Sequence, residues 1–262
     1  MALSGPPVGF GLGDPAVVGH FTAQGWALTQ ALDDHGVGDL RRWIDEVVSW
    51  PDDAGDWLHY REMTDDGPKL CRTENFIPFH APLRALLTTG AFVDQASALL
   101  GQPALLYKEK INYKLPGGAG YAPHQDAPAY RFVDTHVSCL LAIDDATTDN
   151  GTLEVVPAMH HEVLPLDDVG CIRADVAASL AWTAVEVAAG QALWFHSRTP
   201  HRSGINWSAR PRRAIYPTYN AAAEGDLRTA YYDQKLAELA GRSAPDSVAV
   251  SLIGDFQGRP VP

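Results

Sequence analysis

His124 and Asp126 are separated by one residue and follow a turn rich in proline and glycine at residues 116–120. In an extended segment alternate side chains project from one face, so we expect the imidazole and the carboxylate to reach the same ion. His201, far downstream, is the third candidate ligand. Two histidines and a carboxylate on one side of a metal, with its other positions open, suit ferrous iron in oxygen-activating enzymes. The spacing therefore predicts a mononuclear iron site.

A basic cluster follows the second histidine. Arg210, Arg212 and Arg213 lie at the start of the next apolar, strand-like segment. Iron of this kind usually needs a co-substrate that supplies electrons, and 2-oxoglutarate is a dicarboxylate whose far end must be held by a fixed cation. Arginine suits this task because its planar fork meets both carboxylate oxygens and stays charged when buried. The cluster indicates an enzyme that uses 2-oxoglutarate with the iron.

Five motifs occur in one order along the chain. They are His124-x-Asp126, Asn150-Gly151 with the apolar run after it, His160, Pro200-His201-Arg202-Ser203-Gly204 and Pro211-Arg212-Arg213-Ala214. Together they resemble the phytanoyl-CoA dioxygenase family of iron(II)- and 2-oxoglutarate-dependent oxygenases over residues 112–220. The resemblance implies a mainly β fold with flanking helices, the double-stranded β-helix (a cupin-like jelly roll). It also implies iron(II), 2-oxoglutarate and O2 as cofactors.

The resemblance assigns roles around the metal. In the family, the arginine that binds the far carboxylate of 2-oxoglutarate lies eleven positions after the second histidine, which gives Arg212. Asn112 matches a polar residue that helps to hold 2-oxoglutarate, and Lys108 matches a neighbouring pocket position. We expect Ser203 to share the carboxylate with Arg212. Arg213 alternates to the opposite strand face, where a solvated surface charge is expected.

Residues near the ligands favour a small polar substrate. Tyr121 and Tyr130 offer aromatic walls, and Gln125 and Arg198 offer polar contacts. Such a pocket suits a compact molecule that carries an amine and an acid group. Residues 108–114 together with residues 124–130 are also similar to those of family members that act on aminoalkyl phosphonates.

Two other classes of protein stay open. A zinc hydrolase can use two histidines and an aspartate around a water, but it would not need Arg212 or 2-oxoglutarate. A non-enzymatic jelly roll that binds a ligand can keep the fold without any metal. Within the resembled family, Asp126 favours hydroxylation, because relatives that halogenate have a small residue there.

Four more histidines lie within the resembled region. His160 and His161 are assigned to loop structure, because an iron with three protein donors needs its other positions for co-substrate and oxygen. His136 and His196 are either neighbours of the site or ordinary hydrogen-bonded residues.

Length and composition limit the class of protein. The chain of 262 residues fits one domain over residues 1–262, with a flexible lead-in at residues 1–20. A net charge of −12 argues against nonspecific nucleic-acid binding. Three widely spaced cysteines indicate neither a disulfide framework nor a thiolate metal site. No apolar run is long enough to cross a bilayer, so we expect a cytoplasmic enzyme with a small-molecule substrate and no nucleic-acid or membrane partner.

Many short strand-like segments between polar turns predict a sandwich or jelly roll. We expect strands at residues 21–32, 104–115 and 136–143, helices at 39–48, 82–100 and 227–239 and a polar loop at 51–67. Residues 71–76 indicate loop capping, with polar groups that line the mouth of a pocket as the alternative. On the strand at 104–115, Lys108, Lys110 and Asn112 share one face. A lysine pair on a strand more often faces solvent.

Overall fold

Short strands separated by turns build two sheets. The computed structural model describes residues 9–52, 57–130, 133, 135–240 and 250–261. Its strands are β1 Phe10–Gly11, β2 Trp26–Gln30, β3 Leu58–Thr64, β4 Gly67–Glu74, β5 Ala104–Asn112, β6 Tyr121–His124, β7 His136–Ala142, β8 Leu153–Val155, β9 Thr183–Ala184, β10 Gln191–His196, β11 His201–Ser203, β12 Ala214–Ala221 and β13 Pro260–Val261. Its helices are α1 Ala16–Gln24, α2 Asp34–Val48, α3 Ala81–Thr88, α4 Gly90–Leu100, α5 Ala174–Ser179 and α6 Arg228–Ala240.

A shared apolar face holds the two sheets together. The larger sheet has nine strands in the order β1-β2-β10-β7-β12-β5-β4-β3-β13, and the smaller has four in the order β6-β11-β8-β9. Leu140 and Leu193 of the larger sheet and Leu153 and Val155 of the smaller one belong to a single buried cluster. Removing these side chains from water stabilises the sandwich. It also places β6 and β11, which carry the predicted metal ligands, against the larger sheet.

The pleat of β7 separates the core from the site. Successive side chains of a strand point to opposite faces. Cys139 and Leu141 join the apolar cluster that the helices cover. His136 and Ser138 lie on the other face, within 4.0 Å and 2.9 Å of Asp126. One strand thus supplies both core packing and polar groups for the site.

Helix α2 covers the outer face of the larger sheet. The Asp33 carboxylate accepts a hydrogen bond from the backbone N–H of Gly36 at 2.8 Å, which caps the first turn. Leu40, Ile44 and Val47 recur at helical spacing and are buried. The predicted helix is therefore confirmed, and it begins several residues earlier than expected.

The structure corrects the N-terminal prediction. Helix α1 begins at Ala16 and buries Val17 and Phe21, so the second part of the predicted lead-in is helical. Residues 1–8 lie outside the described part of the chain. The strand predicted at residues 21–32 is confined to β2 because the end of α1 occupies its first part.

Two central predictions also change. The polar stretch at residues 51–67, predicted as a loop, contains β3, because backbone pairing with β4 and β13 forms it despite its acidic surroundings. The single helix predicted at residues 82–100 is two helices. Thr89 is extended and Gly90 has φ +68°, so α3 ends at Thr88 and α4 begins at Gly90.

Other elements agree with the sequence. β5, β7 and α6 lie within a few residues of their predicted bounds. Among the helices that the structure describes, none combines the length and apolar character needed to cross a membrane.

Candidate metal centre

His124, Asp126 and His201 converge on the smaller sheet. Strand β6 ends at His124, β11 begins at His201, and the antiparallel register sets the two residues opposite each other. Their ring centroids are 4.1 Å apart. One potential donor atom from each of the three residues lies within 4.8 Å of the other two. The structure thus brings together the three predicted ligands.

Asp126 reaches the other ligands through a turn. Strand β6 stops at His124, and Asp126 has φ −71° and ψ −32° at the start of the 3-10 turn Ala127–Ala129. The prediction of a continuous strand was wrong for this residue. Ser138 Oγ donates a hydrogen bond to Asp126 Oδ2 at 2.9 Å and lies 3.1 Å from Thr218 Oγ1. These hydroxyl groups fix the direction of the carboxylate.

The backbone orients both histidine rings. Nδ1 of His124 lies 2.7 Å from the carbonyl oxygen of Ala122, and Nδ1 of His201 lies 3.0 Å from that of Thr199. Because only a protonated nitrogen can donate to a carbonyl, Nε2 keeps its lone pair in each neutral ring. The two Nε2 atoms lie 3.9 Å and 4.0 Å from Asp126 Oδ1. The free lone pairs therefore face the carboxylate.

The protonation states suit a metal. Burial, together with the nearby His124, lowers the pKa of His201 to about 4. Burial alone would raise the pKa of Asp126, but His201 and Lys108 hold it well below its ordinary value. Neutral imidazole and ionised carboxylate are the forms that bind metals. Two nitrogens and one oxygen from one side fit iron(II).

Arg212 lies deep in the protein beside the predicted carboxylate pocket. It is 1% exposed, and its guanidinium donates to Tyr216 Oη at 2.9 Å and to the carbonyl of Gly151 at 2.6 Å. Its Nε has no hydrogen-bond partner among the described residues. Arg213 faces the other way and forms an ion pair with Asp144 at 2.8 Å, so it is half-buried and paired, not solvated as predicted.

Sequence reasoning missed Lys114 at the same place. Its buried ammonium donates to Ser203 Oγ at 2.9 Å and to the carbonyl of Gly204 at 2.6 Å. Burial and the nearby Arg212 lower its pKa well below the ordinary value. Ser203 also lines the cavity next to the triad. The even spacing of Lys108, Lys110 and Lys114 was the available signal, because it predicts a shared strand face.

The polar face of β5 points into that cavity. Lys108, Lys110 and Asn112 line it together with the triad, so these lysines do not simply face solvent. Lys108 is almost completely buried, and its ammonium lies 4.0 Å from the centre of the Tyr130 ring. Lys110 lies 5.3 Å from the centre of the Tyr216 ring. Asn112 lines the cavity, and its role in holding 2-oxoglutarate stays a prediction.

Arg72 is a second residue that sequence reasoning missed. Residues 71–76 were predicted as loop capping, with a pocket mouth as the alternative, but most of them belong to β4, which pairs with β5. Arg72 is buried and donates to Asn112 Oδ1 at 3.0 Å and to Tyr121 Oη at 2.8 Å. It therefore fixes two side chains of the cavity wall.

The predicted substrate contacts divide into two groups. Tyr121 lines the cavity, and Tyr130 lies against the Lys108 ammonium. Gln125 is wrong as a substrate contact, because its amide bonds the backbone of Glu162, Arg198 and Leu164. Arg198 likewise does not lie on the cavity wall in the described structure.

The remaining histidines lie outside the donor group of the described residues. His136 is fully buried with Nε2 4.0 Å from Asp126 Oδ2, and burial lowers its pKa to about 3. It is a neighbour of the metal ligand. His196 accepts a backbone hydrogen bond at 3.0 Å. His160 and His161 stack on each other at 4.2 Å.

Comparison with known proteins decides the family. The family model for phytanoyl-CoA dioxygenase (PhyH) matches residues 23–214. The chain belongs to this family. Methylphosphonate hydroxylase from Gimesia maris is 46% identical over 89% of this chain and 91% of its own length. The PhyH-family chain is also 37% identical to 2-aminoethylphosphonate dioxygenase from the uncultured bacterium HF130_AEPn_1, over 75% of this chain and 77% of the relative.

Solved structures support the fold of this PhyH-family member. EctD from S. alaskensis, solved with 2-oxoglutarate and 5-hydroxyectoine, superposes with a TM-score of 0.71 at 18% identity, covering 86% of this chain and 80% of EctD. The predicted double-stranded β-helix is confirmed. The protein is an iron(II)- and 2-oxoglutarate-dependent dioxygenase that uses O2, with His124, Asp126 and His201 as the fitting donor set. Zinc hydrolysis and ligand binding without catalysis find no support among these relatives.

Proposed function

We propose that the enzyme hydroxylates a C–H bond of a small phosphonate. The observation that carries the proposal is the pair Lys108 and Lys110, which lines the same cavity as the metal ligands. Burial is the largest cause that lowers the pKa of both ammonium groups, and a neighbouring cation lowers each pKa as well, whereas Asp126 and Glu74 partly offset the shift. A dianion bound between them would offset that repulsion and the loss of hydration.

The neighbours of these lysines leave room for an anion. Lys108 contacts the hydroxyl and ring of Tyr130. Lys110 contacts the ring of Tyr216, and no hydrogen bond joins it to another residue in the described ranges. The ammonium groups of these lysines suit the three oxygens of a phosphonate, because an ammonium is a compact point charge with three hydrogen-bond donors.

A second group of cations serves the co-substrate. Arg212 and Lys114 both donate to the carbonyl oxygen of Gly151, and Lys114 also donates to Ser203 Oγ. Tyr216 lies next to both groups of cations, since its hydroxyl accepts from Arg212 at 2.9 Å and the centre of its ring lies 5.3 Å from the Lys110 ammonium. We assign 2-oxoglutarate to Arg212 and the phosphonate to Lys108 and Lys110.

The chain's own residues position the reactants. Arg212 and Ser203 bind the far carboxylate of 2-oxoglutarate, and Ser138 holds Asp126 in place. Leu153 and Phe195 give the cavity an apolar wall that excludes water. Bound iron(II), with 2-oxoglutarate and O2, supplies the oxidation of the C–H bond and releases succinate and CO2. Asp126 keeps a ligand position that halogenating relatives leave open.

Succinate release from 2-oxoglutarate tests the proposed function. We expect methylphosphonate or 2-aminoethylphosphonate to raise the release rate at least about tenfold above the rate without substrate, whereas propionate and β-alanine leave it unchanged. Lys110→Ala removes this stimulation because one cation of the anion site is lost. Lys69→Ala, which changes a lysine paired with Asp66 at the surface, is the matched control. Equal rates with all four compounds would contradict the proposal.

The pH dependence gives a separate prediction. Burial, together with the nearby Arg72, lowers the pKa of Lys110 to about 8. Lys110 is cationic below that pKa and neutral above it, so kcat/KM for the phosphonate should fall as the pH rises through about 8. Lys110→Arg keeps its charge and should move the fall to higher pH. Dividing kcat/KM of the variant by kcat/KM of the wild type, with the same substrate at each pH, removes the contribution of substrate ionisation to the pH profile. A ratio that does not change with pH would show that Lys110 does not bind the anion.

We also propose a cytoplasmic enzyme that needs no nucleic-acid or membrane partner. The net charge of −12 and the free, buried cysteines Cys71, Cys139 and Cys171 support this setting.

A further inference from the structure

Residues 250–261 lie along the strand that carries the first metal ligand. The backbone N–H of Ala122 donates to the carbonyl of Asp255 at 2.6 Å, and that of Gln257 donates to Gly120 at 3.0 Å. Strand β13 then pairs with β3. This segment lies outside residues 23–214, which the family model matches. The family model therefore assigns no role to its side chains.

Asp255 extends from this segment into the cavity. It is 3% exposed and lines the cavity with the triad and with Lys108 and Lys110. Its Oδ2 lies 3.2 Å from Nε2 of His124. Its Oδ1 is buried and has no hydrogen-bond partner within the described residues. A buried carboxylate oxygen without a donor is costly, so it marks a place where a donor from a bound molecule is favourable.

The nearby protein cations do not satisfy Asp255. Arg72 gives its N–H groups to Asn112, Tyr121, Glu74 and the carbonyl of Val250. Arg72 and Lys110 act on Asp255 only through space and form no hydrogen bond with it among the described residues. The Asp255 carboxylate therefore remains available to a ligand.

Asp255 also falls outside the metal-donor group. Within the described chain, the only group of donors that lie within 4.8 Å of one another is His124, Asp126 and His201. Asp255 borders this group through His124 alone, at the side of the cavity that a substrate would share. The cavity thus has the Asp255 carboxylate beside the candidate metal ligand His124 and the ammonium groups of Lys108 and Lys110 on β5.

We propose that Asp255 binds an ammonium group of the substrate and thereby selects phosphonates that carry an amine. The inference rests on the proposed function, because the phosphonate end is assigned to Lys108 and Lys110. A zwitterion with its anion at these lysines and its ammonium at Asp255 would place the intervening carbon atoms beside the triad. Asp255 is then a specificity-determining residue, and an alkylphosphonate of the same size without the amine leaves its carboxylate unpaired.

Two substrates of equal size provide the test. 2-Aminoethylphosphonate and propylphosphonate have the same number of heavy atoms and differ in an ammonium or a methyl group. We expect wild-type kcat/KM to favour the amine by on the order of 10²-fold, because truncating one partner of a buried charge pair has effects of this size. Asp255→Asn should lower kcat/KM for the amine by a similar factor and change that for propylphosphonate by less than about threefold. Asp255→Glu, which keeps the charge, should retain part of the preference.

Binding separates recognition from effects on the metal. Calorimetric titration of both phosphonates into the anaerobic iron(II)–2-oxoglutarate complex should show the loss of affinity for the amine alone, with the iron content of Asp255→Asn unchanged. Asp168→Asn, a change at an exposed aspartate, is the control. Equal losses for both substrates, or loss of iron, would show that Asp255 supports His124 and would overturn the inference. Equal wild-type turnover of the two phosphonates would overturn it as well. Turnover of methylphosphonate but of neither test compound would overturn this inference alone. Turnover of none of the three phosphonates would overturn the proposed function as well.

Discussion

Replacing Asp126 with alanine should reduce 2-oxoglutarate turnover by at least about 10³-fold. Loss of a residue that only orients a metal ligand typically costs about 10- to 100-fold in affinity or activity, and loss of a ligand should cost more. Asp126 is the sole carboxylate in the donor group, and it offsets the positive charge of the metal in a buried site. Succinate release measures turnover, and anaerobic titration with iron(II) and 2-oxoglutarate measures the charge-transfer band of the complex. We expect both to be lost.

Two control variants locate the effect. Ser138→Ala keeps the Asp126 carboxylate but removes its 2.9 Å hydrogen bond, so it should weaken iron binding by about 10- to 100-fold. Asp65→Ala changes an exposed carboxylate in the turn between β3 and β4 and should have no effect on either readout. If an Asp126→Ala variant kept the charge-transfer band and most of its turnover, Asp126 would not be a metal ligand.

Arg212→Ala should raise the KM for 2-oxoglutarate by about 10²- to 10³-fold. The guanidinium is buried, so its attraction for a carboxylate is weakly screened and its loss leaves the bound anion without a fixed countercharge. Ser203 and Lys114 remain, and they account for residual binding. Arg212→Lys should recover only part of the affinity, because an ammonium cannot form the two parallel hydrogen bonds of a guanidinium. Initial rates of succinate release against 2-oxoglutarate concentration give the KM.

The adjacent arginine is the matched control. Arg213 pairs with Asp144 and Asp45 on the other face, so Arg213→Ala should leave the KM for 2-oxoglutarate within about twofold of wild type. Circular dichroism and thermal unfolding of both variants show whether the fold is kept. Similar KM values for wild type and a folded Arg212→Ala variant would place the co-substrate elsewhere.

The metal ligands were predictable because their residue types and order along the chain carry the chemistry. His124, Asp126 and His201 were found in this way, and the alternation of β5 placed Lys108 on the same face as Asn112. The turn at Asp126 was not predictable, since a strand of four residues gives no sign of where its pairing ends.

Contacts between distant segments could not be read from the sequence. Arg72 matters because β4 pairs with β5, and that register depends on the whole sheet. Asp255 reaches the site only because residues 250–261 cross beside β6. Gln125 was misassigned for the same reason, because its backbone partners lie on two separate loops. In each case no local sequence pattern marks the residue, and its partner lies on a segment that is distant in the sequence.

The pairing of β6 with β11 has a consequence for synthesis of the protein. His124 and Asp126 emerge from the ribosome long before His201, and Arg212 follows later still. A nascent chain that has not reached β11 holds two ligands and no anchor for the keto acid. The candidate metal centre is therefore complete only after β11 has been synthesised and has paired with β6.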